Sequence, residues 1–407
     1  MTGRPARSGA PGGWGAVGVL ILAHALGTLN FTAVLAMAPR IQTALGLSRT
    51  EVGLLSTAYN AGLLAGALPA GWVVDRYGVR AGLVVAHLLM ALATALLAGF
   101  GHTLAIAVPC LALTGLGYAV VNPATVKGVL LWLPVRLRAT AMGLKQTGVP
   151  LGGLLAAGTA ALAARVEWTT LLLAIAAATA AGAALCLRTP ADGPGDPAAG
   201  RAMRLGDIGA VVRNRNLTVV NAAGGGFNMG QTSFTTYLTL FLRDALHAGL
   251  PFASACFGLA QAGSTAGRIA WGLVSDRLWR GRRKPVLVLL GVLAAAGFGA
   301  LGALGPGGAL VAAALAVALG LTVASYAGLL QAAAAEAVHP RLGGAAIGYN
   351  MVFTPLGGML GPPLFGALVD RAGDYGPAWL AAGGVVLASS LVLARGFRER
   401  PLAAPAR

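Results

Sequence analysis

The sequence predicts an all-α membrane protein: twelve transmembrane helices arranged as two pseudo-symmetric six-helix bundles. Three observations carry that prediction. Hydrophobic residues make up 57% of the 407-residue chain and charged residues only 10%, with a mean hydropathy of +0.76, where a soluble domain averages about 25% charged. Apolar runs recur near 14–38, 51–73, 80–100, 103–126, 139–163, 168–187, 215–241, 251–274, 286–304, 308–333, 343–368 and 377–394, each close to the roughly 20 residues that cross about 30 Å of hydrocarbon. Finally, the chain repeats itself. Gly71, Asp75 and Arg76 recur 201 positions later as Gly272, Asp276 and Arg277, and Arg136-Leu137, Gly143 and Pro150-Leu151-Gly152-Gly153 recur 205 positions later as Arg341-Leu342, Gly348 and Pro355-Leu356-Gly357-Gly358. Such offsets mark two copies of one membrane-embedded unit.

The spans can be taken in order. Basic residues precede the first, as in a signal peptide, but no small-residue cleavage site follows, so it is kept as a span. Gly71-Trp72-Val73-Val74-Asp75-Arg76-Tyr77-Gly78 and Arg80 separate the second from the third, and Gly272-Leu273-Val274-Ser275-Asp276-Arg277 with Arg280 follows the eighth. Between the sixth and seventh lies the long polar stretch 188–214, rich in Pro, Gly, Asp and Arg, which predicts a linker between bundles at 1–187 and 215–407. Of 29 basic residues, 21 fall on the side of the termini and linker and 5 on the other, the remaining three lying within spans. The positive-inside rule therefore predicts cytoplasmic termini and a cytoplasmic linker.

The net charge of +17 invites a nucleic-acid reading, but the basic residues sit in short clusters between apolar runs, as membrane loops do. No nucleic-acid partner is expected. Cys110, Cys186 and Cys256 are far apart and within spans, which suits packing; no metal site and no cofactor are predicted. A GxxxxGK[ST] loop is missing, so energy must come from a gradient or a partner.

Charge inside the spans narrows the chemistry. None of the twelve acidic residues lies near the middle of a span, whereas Lys127, Lys145 and Arg268 lie within them. Cations in hydrocarbon without counter-carboxylates suit a site that receives an anion. Gln261, Ser264, Thr265 and Arg268 share one face of the eighth span, and a guanidinium binds a carboxylate through two parallel bonds. Arg268 has a second reading, as a helix-end arginine supporting Asp276. Lys145 has Gly148, Gly152 and Ala156 on its face, which permits close helix approach; either it faces an anion opposite Arg268, or the pattern serves packing alone and Lys145 faces water. Lys127, nearer a helix end, is read as snorkelling. His24 and His87 are read as structural.

A softer polar lining includes Asn30 on the first span, Tyr118, Asn122 and Thr125 on the fourth, Asn221, Asn228, Thr232 and Thr235 on the seventh, and Ser325, Tyr326 and Gln331 on the tenth. Asn350 occupies the position equivalent to Lys145 in the second copy.

Twelve spans, a central linker and a GxxxDR signature in both the 2–3 and 8–9 loops resemble the major facilitator superfamily. That resemblance covers the whole chain. It implies a central cavity lined by spans 1, 4, 7 and 10, contact between the fifth and eighth spans, alternating access, and a gating network of Asp75, Arg76, Arg80, Asp276, Arg277 and Arg280. Arg268, four residues before the second signature glycine, and Lys145-Gln146-Thr147-Gly148 are similar to the monocarboxylate and oxalate/formate carrier branch. Two departures stand out: Ser264 replaces an acid found in some proton-coupled members, and Asn350 replaces a lysine of the oxalate type. The expectation is a monomeric secondary transporter in the cell membrane, not an enzyme. Its expected cargo is a small organic anion, coupled to protons or a counter-anion, with Arg268, Lys145, Gln261, Asn228, Asn122, Asn30, Tyr118, Tyr326 and Asn350 as candidate contacts. The alternative is proton-driven efflux of amphiphilic drugs or other small solutes, which would want a membrane-buried acid.

Overall fold

The computed structural model describes residues 13–190, 205–305, 307–338 and 343–399. In chain order the helices are α1 (Gly13–Ala36), α2 (Ala38–Leu45), α3 (Arg49–Phe100), α4 (Leu104–Trp132), α5 (Val135–Gln146), α6 (Gly148–Leu162), α7 (Trp168–Cys186), α8 (Leu205–Val212), α9 (Arg215–Asp244), α10 (Leu250–Arg277), α11 (Lys284–Gly302), α12 (Ala309–Leu321), α13 (Ala327–Glu336), α14 (Gly343–Ala372) and α15 (Gly376–Gly396). Local chemistry sets several of their ends. Ser48 and Glu51 form a reciprocal capping box at the start of α3, and Asn214 caps α9 through the Leu217 amide.

Seven helical stretches are, by length and composition, long and apolar enough to cross a bilayer. The remaining predicted spans have identifiable reasons for falling short. The second and third share α3, interrupted only at Gly78, whose φ of 87° makes the turn between them. The seventh and eighth, α9 and α10, carry the polar stripes. The fifth and tenth are each broken. In the fifth, Pro150 has no amide hydrogen and its ring opposes the carbonyl of residue 146, so the helix stops at Gln146 and restarts at Gly148. In the tenth, residues 322–326 are a turn between α12 and α13, and side chains hold its freed carbonyls: Trp271 Nε1 donates to Leu321 O at 2.7 Å and Ser264 Oγ to Ala324 O at 2.7 Å. Non-helical backbone at this depth survives only where protein or water satisfies it. The predicted linker includes one described helix, α8; residues 191–204 lie outside the described residues.

Within the first half, α1 packs on α4, α5, α6 and α7, and α3 on α4 and α7; within the second, α9 packs on α14 and α15, α10 on α12, and α11 on α15. Two long crossings join the halves, α3 with α14 and α6 with α10, and the repeat exchanges one for the other. The detail is symmetric as well. A Cβ on Gly153 would strike Gln261, and one on Gly358 would strike Asn60, so a side-chain amide covers the repeat-related glycine at both crossings. The expected meeting of the fifth and eighth spans is present, and the predicted Gly148–Gly152 face lies against the Ile21 and Ala25 carbonyls of α1.

The halves are fastened at the end opposite the two signatures. Arg49 pairs with Asp244 at 2.9 Å; the amides of Arg49 and Thr50 donate to Asp370 at 3.1 and 2.8 Å; Arg243 reaches Gln42 and the Pro39 carbonyl; Tyr237 donates to Arg49 O at 2.6 Å. Among the described residues, hydrogen bonds and close glycine approaches between α3 and α14 run from Arg49 to Asn60. Asn60 and Gln261 each lie 15 residues before their signature aspartates, about 22 Å of helix. Among the described residues these contacts between the halves thus lie on the side of Asn60 and Gln261 away from the signatures.

Candidate functional site

Lys145 is the last charged residue of α5 before the proline-induced break, and the break points it inward. Only 1% of its surface is exposed. Its Nζ donates to Asn122 Oδ1 at 2.9 Å and Thr125 Oγ1 at 3.2 Å, both on α4, and lies 3.4 Å from His24 Nε2 on α1. The other face of His24 continues the chain: Nδ1 is 3.3 Å from Tyr118 Oη, and Tyr118 also accepts from Thr28 Oγ1 at 3.1 Å. Nε2 is 2.9 Å from Thr125 Oγ1, which itself lies 2.9 Å from Asn122 O. Side chains from α1, α4 and α5 thus converge on one ammonium and one imidazole. Two positive charges 3.4 Å apart would repel by about 5 kcal/mol at an effective dielectric near 20, so this pair carries one positive charge when nothing balances a second.

Arg268 enters from α10. Its Nε is 3.5 Å from Ser264 Oγ, and its guanidinium lies within electrostatic reach of Tyr118 and Tyr326. Tyr326 leaves the break in the tenth span, stacks on Phe227 at 5.0 Å and donates to Asn228 Oδ1 at 3.4 Å; Asn228 in turn donates to Thr354 O at 2.6 Å. Among the described residues neither Lys145 nor Arg268 has a carboxylate partner. What links the two cations is Tyr118 with His24, not direct apposition. Both cations therefore sit beside helix breaks, the arrangement in which transporters bring free backbone groups to a midplane site.

Other predicted contacts land elsewhere. Asn30 is spent inside the first bundle, donating to Leu26 O at 2.7 Å and Thr179 Oγ1 at 2.9 Å and accepting from Thr94 at 2.7 Å; it ties α1 to α3 and α7 and leaves no group for a cavity. Gln261 covers Gly153 at the crossing of the halves. Asn350, 1% exposed, donates to Asn221 Oδ1 at 3.0 Å between α14 and α9, and Asn221 Nδ2 is buried with no hydrogen-bond partner among the described residues. Gly225 abuts the Phe353 carbonyl.

The signature residues divide. Asp75 pairs with Lys127 Nζ at 3.0 Å, and Arg80 donates to Thr189 O at 2.9 Å. Lys127, read from sequence as snorkelling, has a specific partner. In the second copy Asp276 pairs with Arg283, which also donates to Ser275 Oγ at 2.9 Å and approaches Glu336 at 3.4 Å. Burial pushes the Glu336 carboxyl above its ordinary range, more than Arg283 beside it pulls it down. Arg76, Arg277 and Arg280 are exposed and bond to no other described residue; Arg280 takes a left-handed φ of 51° to turn the loop. Arg283, Glu336 and Ser275 were missed because Arg283 lies beyond the signature and Glu336 on another span. His24 was missed as a partner of Lys145, although Thr28 one turn on already marked its face as polar. Asn60 was legible as the residue 201 positions before Gln261.

Residues 20–317 and 279–407 match the Major Facilitator Superfamily. The chain belongs to that superfamily. It is 27% identical to a hexuronate transporter of Bacillus subtilis (strain 168) over 93% of each chain, and 30% identical to monocarboxylate transporter 11 of Homo sapiens over 96% of this chain and 84% of the relative. Its fold is similar to that of a bacterial homolog of the human lysosomal transporter Spinster, solved in an inward-facing and unoccupied conformation, with a TM-score of 0.74 at 17% identity over 95% of this chain and 96% of that one. It is a multi-pass membrane transporter whose relatives carry organic anions.

Proposed function

We propose that this superfamily member moves a small organic anion, a mono- or dicarboxylate, across the cell membrane by alternating access, with both termini and the linker cytoplasmic. The observation that supports this most is the pair of in-span cations, Lys145 and Arg268, which lack carboxylate partners among the described residues and are linked through Tyr118. A carboxylate entering between Arg268, Tyr118 and Tyr326 supplies the missing negative charge. With the signature end cytoplasmic, the fastened end is the outer gate and the cleft opens inward. Asp75, Arg76, Arg80, Asp276, Arg277 and Arg280, with Lys127, Arg283 and Glu336, then act on the equilibrium between inward and outward states. The protein works as a monomer in the lipid bilayer. An inside-negative potential opposes uptake of a monovalent anion by about 2.3 kcal/mol per 100 mV, so accumulation needs a co-transported proton or an exchanged anion.

The test is transport in reconstituted vesicles of labelled lactate, oxalate and glucuronate, with a neutral hexose and a lipophilic cation alongside. Carboxylates are expected to move, and Arg268→Ala to reduce their flux at least a hundredfold. Flux of the cation alone, or carboxylate flux indifferent to Arg268→Ala, would defeat the assignment.

A further inference from the structure

The cluster around His24 is built to hold the imidazole in either protonation state. With Nε2 bare, it accepts from Lys145 Nζ at 3.4 Å, and Nδ1–H donates to Tyr118 Oη at 3.3 Å. With both nitrogens protonated, Nδ1–H keeps Tyr118, and Nε2–H donates to Thr125 Oγ1 at 2.9 Å while the Thr125 hydroxyl turns to the Asn122 carbonyl at 2.9 Å. A hydroxyl rotation at Thr125 is the change required there; Lys145 Nζ keeps Asn122 Oδ1 and Thr125 Oγ1 and gives up His24 Nε2, which frees one ammonium N–H for an arriving anion. In the doubly protonated form Tyr118 accepts from Thr28 and from His24, so its own proton is free for an anion beside Arg268.

Burial opposes the second proton, since His24 is 1% exposed, and like charge adds to it. The groups facing His24 are Lys145 from α5, Tyr118 from α4, His87 from α3 and Arg268 from α10. His87 is bracketed by the Leu83 carbonyl at 2.7 Å and the Ala23 carbonyl at 3.2 Å, and no carboxylate stands among these partners. An arriving anion offsets the like charge.

We propose that His24 is the proton-binding residue of transport: it takes up one proton when a carboxylate anion occupies the cavity and gives it up when the anion leaves. This rests on the organic-anion reading above. The cycle is electroneutral for a monovalent anion. One proton from the entry side bonds to His24 Nε2, travels with the anion through the change of access, and is released to water on the exit side with His24 again bare at Nε2.

The experiment uses the full chain in sealed vesicles carrying an internal pH dye, with labelled lactate and glucuronate. Uptake driven by an imposed pH gradient and exchange against internal anion are measured side by side. In the wild type, one proton enters per monovalent anion. In His24→Gln, whose amide still reaches Lys145 and Thr125 but does not titrate, the ratio of pH-driven uptake to exchange falls at least tenfold. In Lys145→Gln the like charge is gone, so the pH midpoint of residual proton-linked uptake rises by a unit or more. An unaltered ratio in His24→Gln overturns the proposal, as does wild-type exchange with no proton movement. If His24→Gln is inactive in both modes, the stoichiometry and the Lys145→Gln midpoint decide. Wild-type protein that moves neither anion in either mode overturns the organic-anion reading itself.

Discussion

The crossing of the fifth span over the first and the crossing of the eleventh over the seventh are the same structural place in two copies, yet they are filled oppositely. In the first copy Lys145 stands against His24; in the second Asn350 stands against Asn221. Backbone packing is nearly conserved between them: Gly152 lies on the Ala25 carbonyl and Gly357, its repeat mate, on the Gly225 carbonyl. Helix packing therefore does not require the charge. A buried ammonium costs several kcal/mol to desolvate, and the second copy shows that the fold holds together with a neutral amide there. Duplication supplied the frame, and the asymmetry within it falls at Lys145 and Asn350.

The most severe way to break the comparison is to exchange its contents. Lys145→Asn is expected to reduce anion transport at least a hundredfold, about 2.7 kcal/mol in the rate, while the protein still inserts into the membrane. Adding Asn350→Lys restores the charge to the chain but places it beside Asn221, with no imidazole and no Tyr118, and is expected not to restore transport. Recovery in the double variant, measured as initial flux, would show that total charge matters and its place does not. Slightly smaller is the effect of Arg268→Lys, expected at tenfold or more: an ammonium replaces the planar fork and does not reach Ser264 and the carboxylate together. A near wild-type rate would reduce Arg268 to a point charge.

The frame was far more legible in the sequence than its filling. The apolar runs and the duplication follow from hydropathy and repeat offsets, and the fifth–eighth contact from the resemblance to the superfamily. Arg268 and Lys145 stood out because charge in hydrocarbon is conspicuous at any spacing. His24 did not, because an imidazole on an apolar helix looks the same whether it binds a carbonyl, as His87 does, or an ammonium 121 residues away. Asn30 misled for the converse reason: its amide suits a cavity or a helix contact equally, and only Thr94 and Thr179 decide between them. The gate opposite the signatures was illegible since its members are ordinary loop charges brought together by the fold.

That gate offers a milder test, since it joins the halves at a point where the repeat is not obeyed. Burial would push the Asp244 carboxyl up, but bonds from Arg243, Tyr375 and Arg49 outweigh it and hold Asp244 below the ordinary aspartate range. A depressed carboxylate contributes stability that is complete above the ordinary value and is lost as pH falls through the lowered one. The fastened end should thus hold down to the ordinary aspartate range and loosen only under stronger acid. Asp244→Asn is expected to shift the distribution toward the outward-open state about tenfold at neutral pH, about 1.4 kcal/mol, read from spin-label distances across that end. No change in the distances would leave Asp370 as the fastening residue.

The smallest effect is expected at the signature end, where the two copies again differ in wiring. Asp75 is 64% exposed beside Lys127, and Asp276 is 60% exposed beside Arg283, and exposed pairs contribute roughly 0.2–1 kcal/mol. Asp75→Asn and Asp276→Asn should therefore slow transport two- to fivefold through the conformational equilibrium, while equilibrium anion binding stays within a few-fold. Acidity separates the copies. Glu336, whose carboxyl is raised by burial, takes up a proton where a free glutamate is still ionised, and a raised carboxyl favours the folded form below that value and loses the advantage as pH rises through it. Mild acidification thus removes one of Arg283's two carboxylate partners without unfolding the bundle; the Asp75–Lys127 pair has no such second carboxylate among the described residues. The conformational effect of Asp276→Asn should grow between neutral pH and the upper glutamate range, whereas that of Asp75→Asn should not. Equal pH dependence in the two variants would mean that the second network does not run through Glu336, and Glu336→Gln, which fixes the neutral state at every pH, should erase the difference if it does.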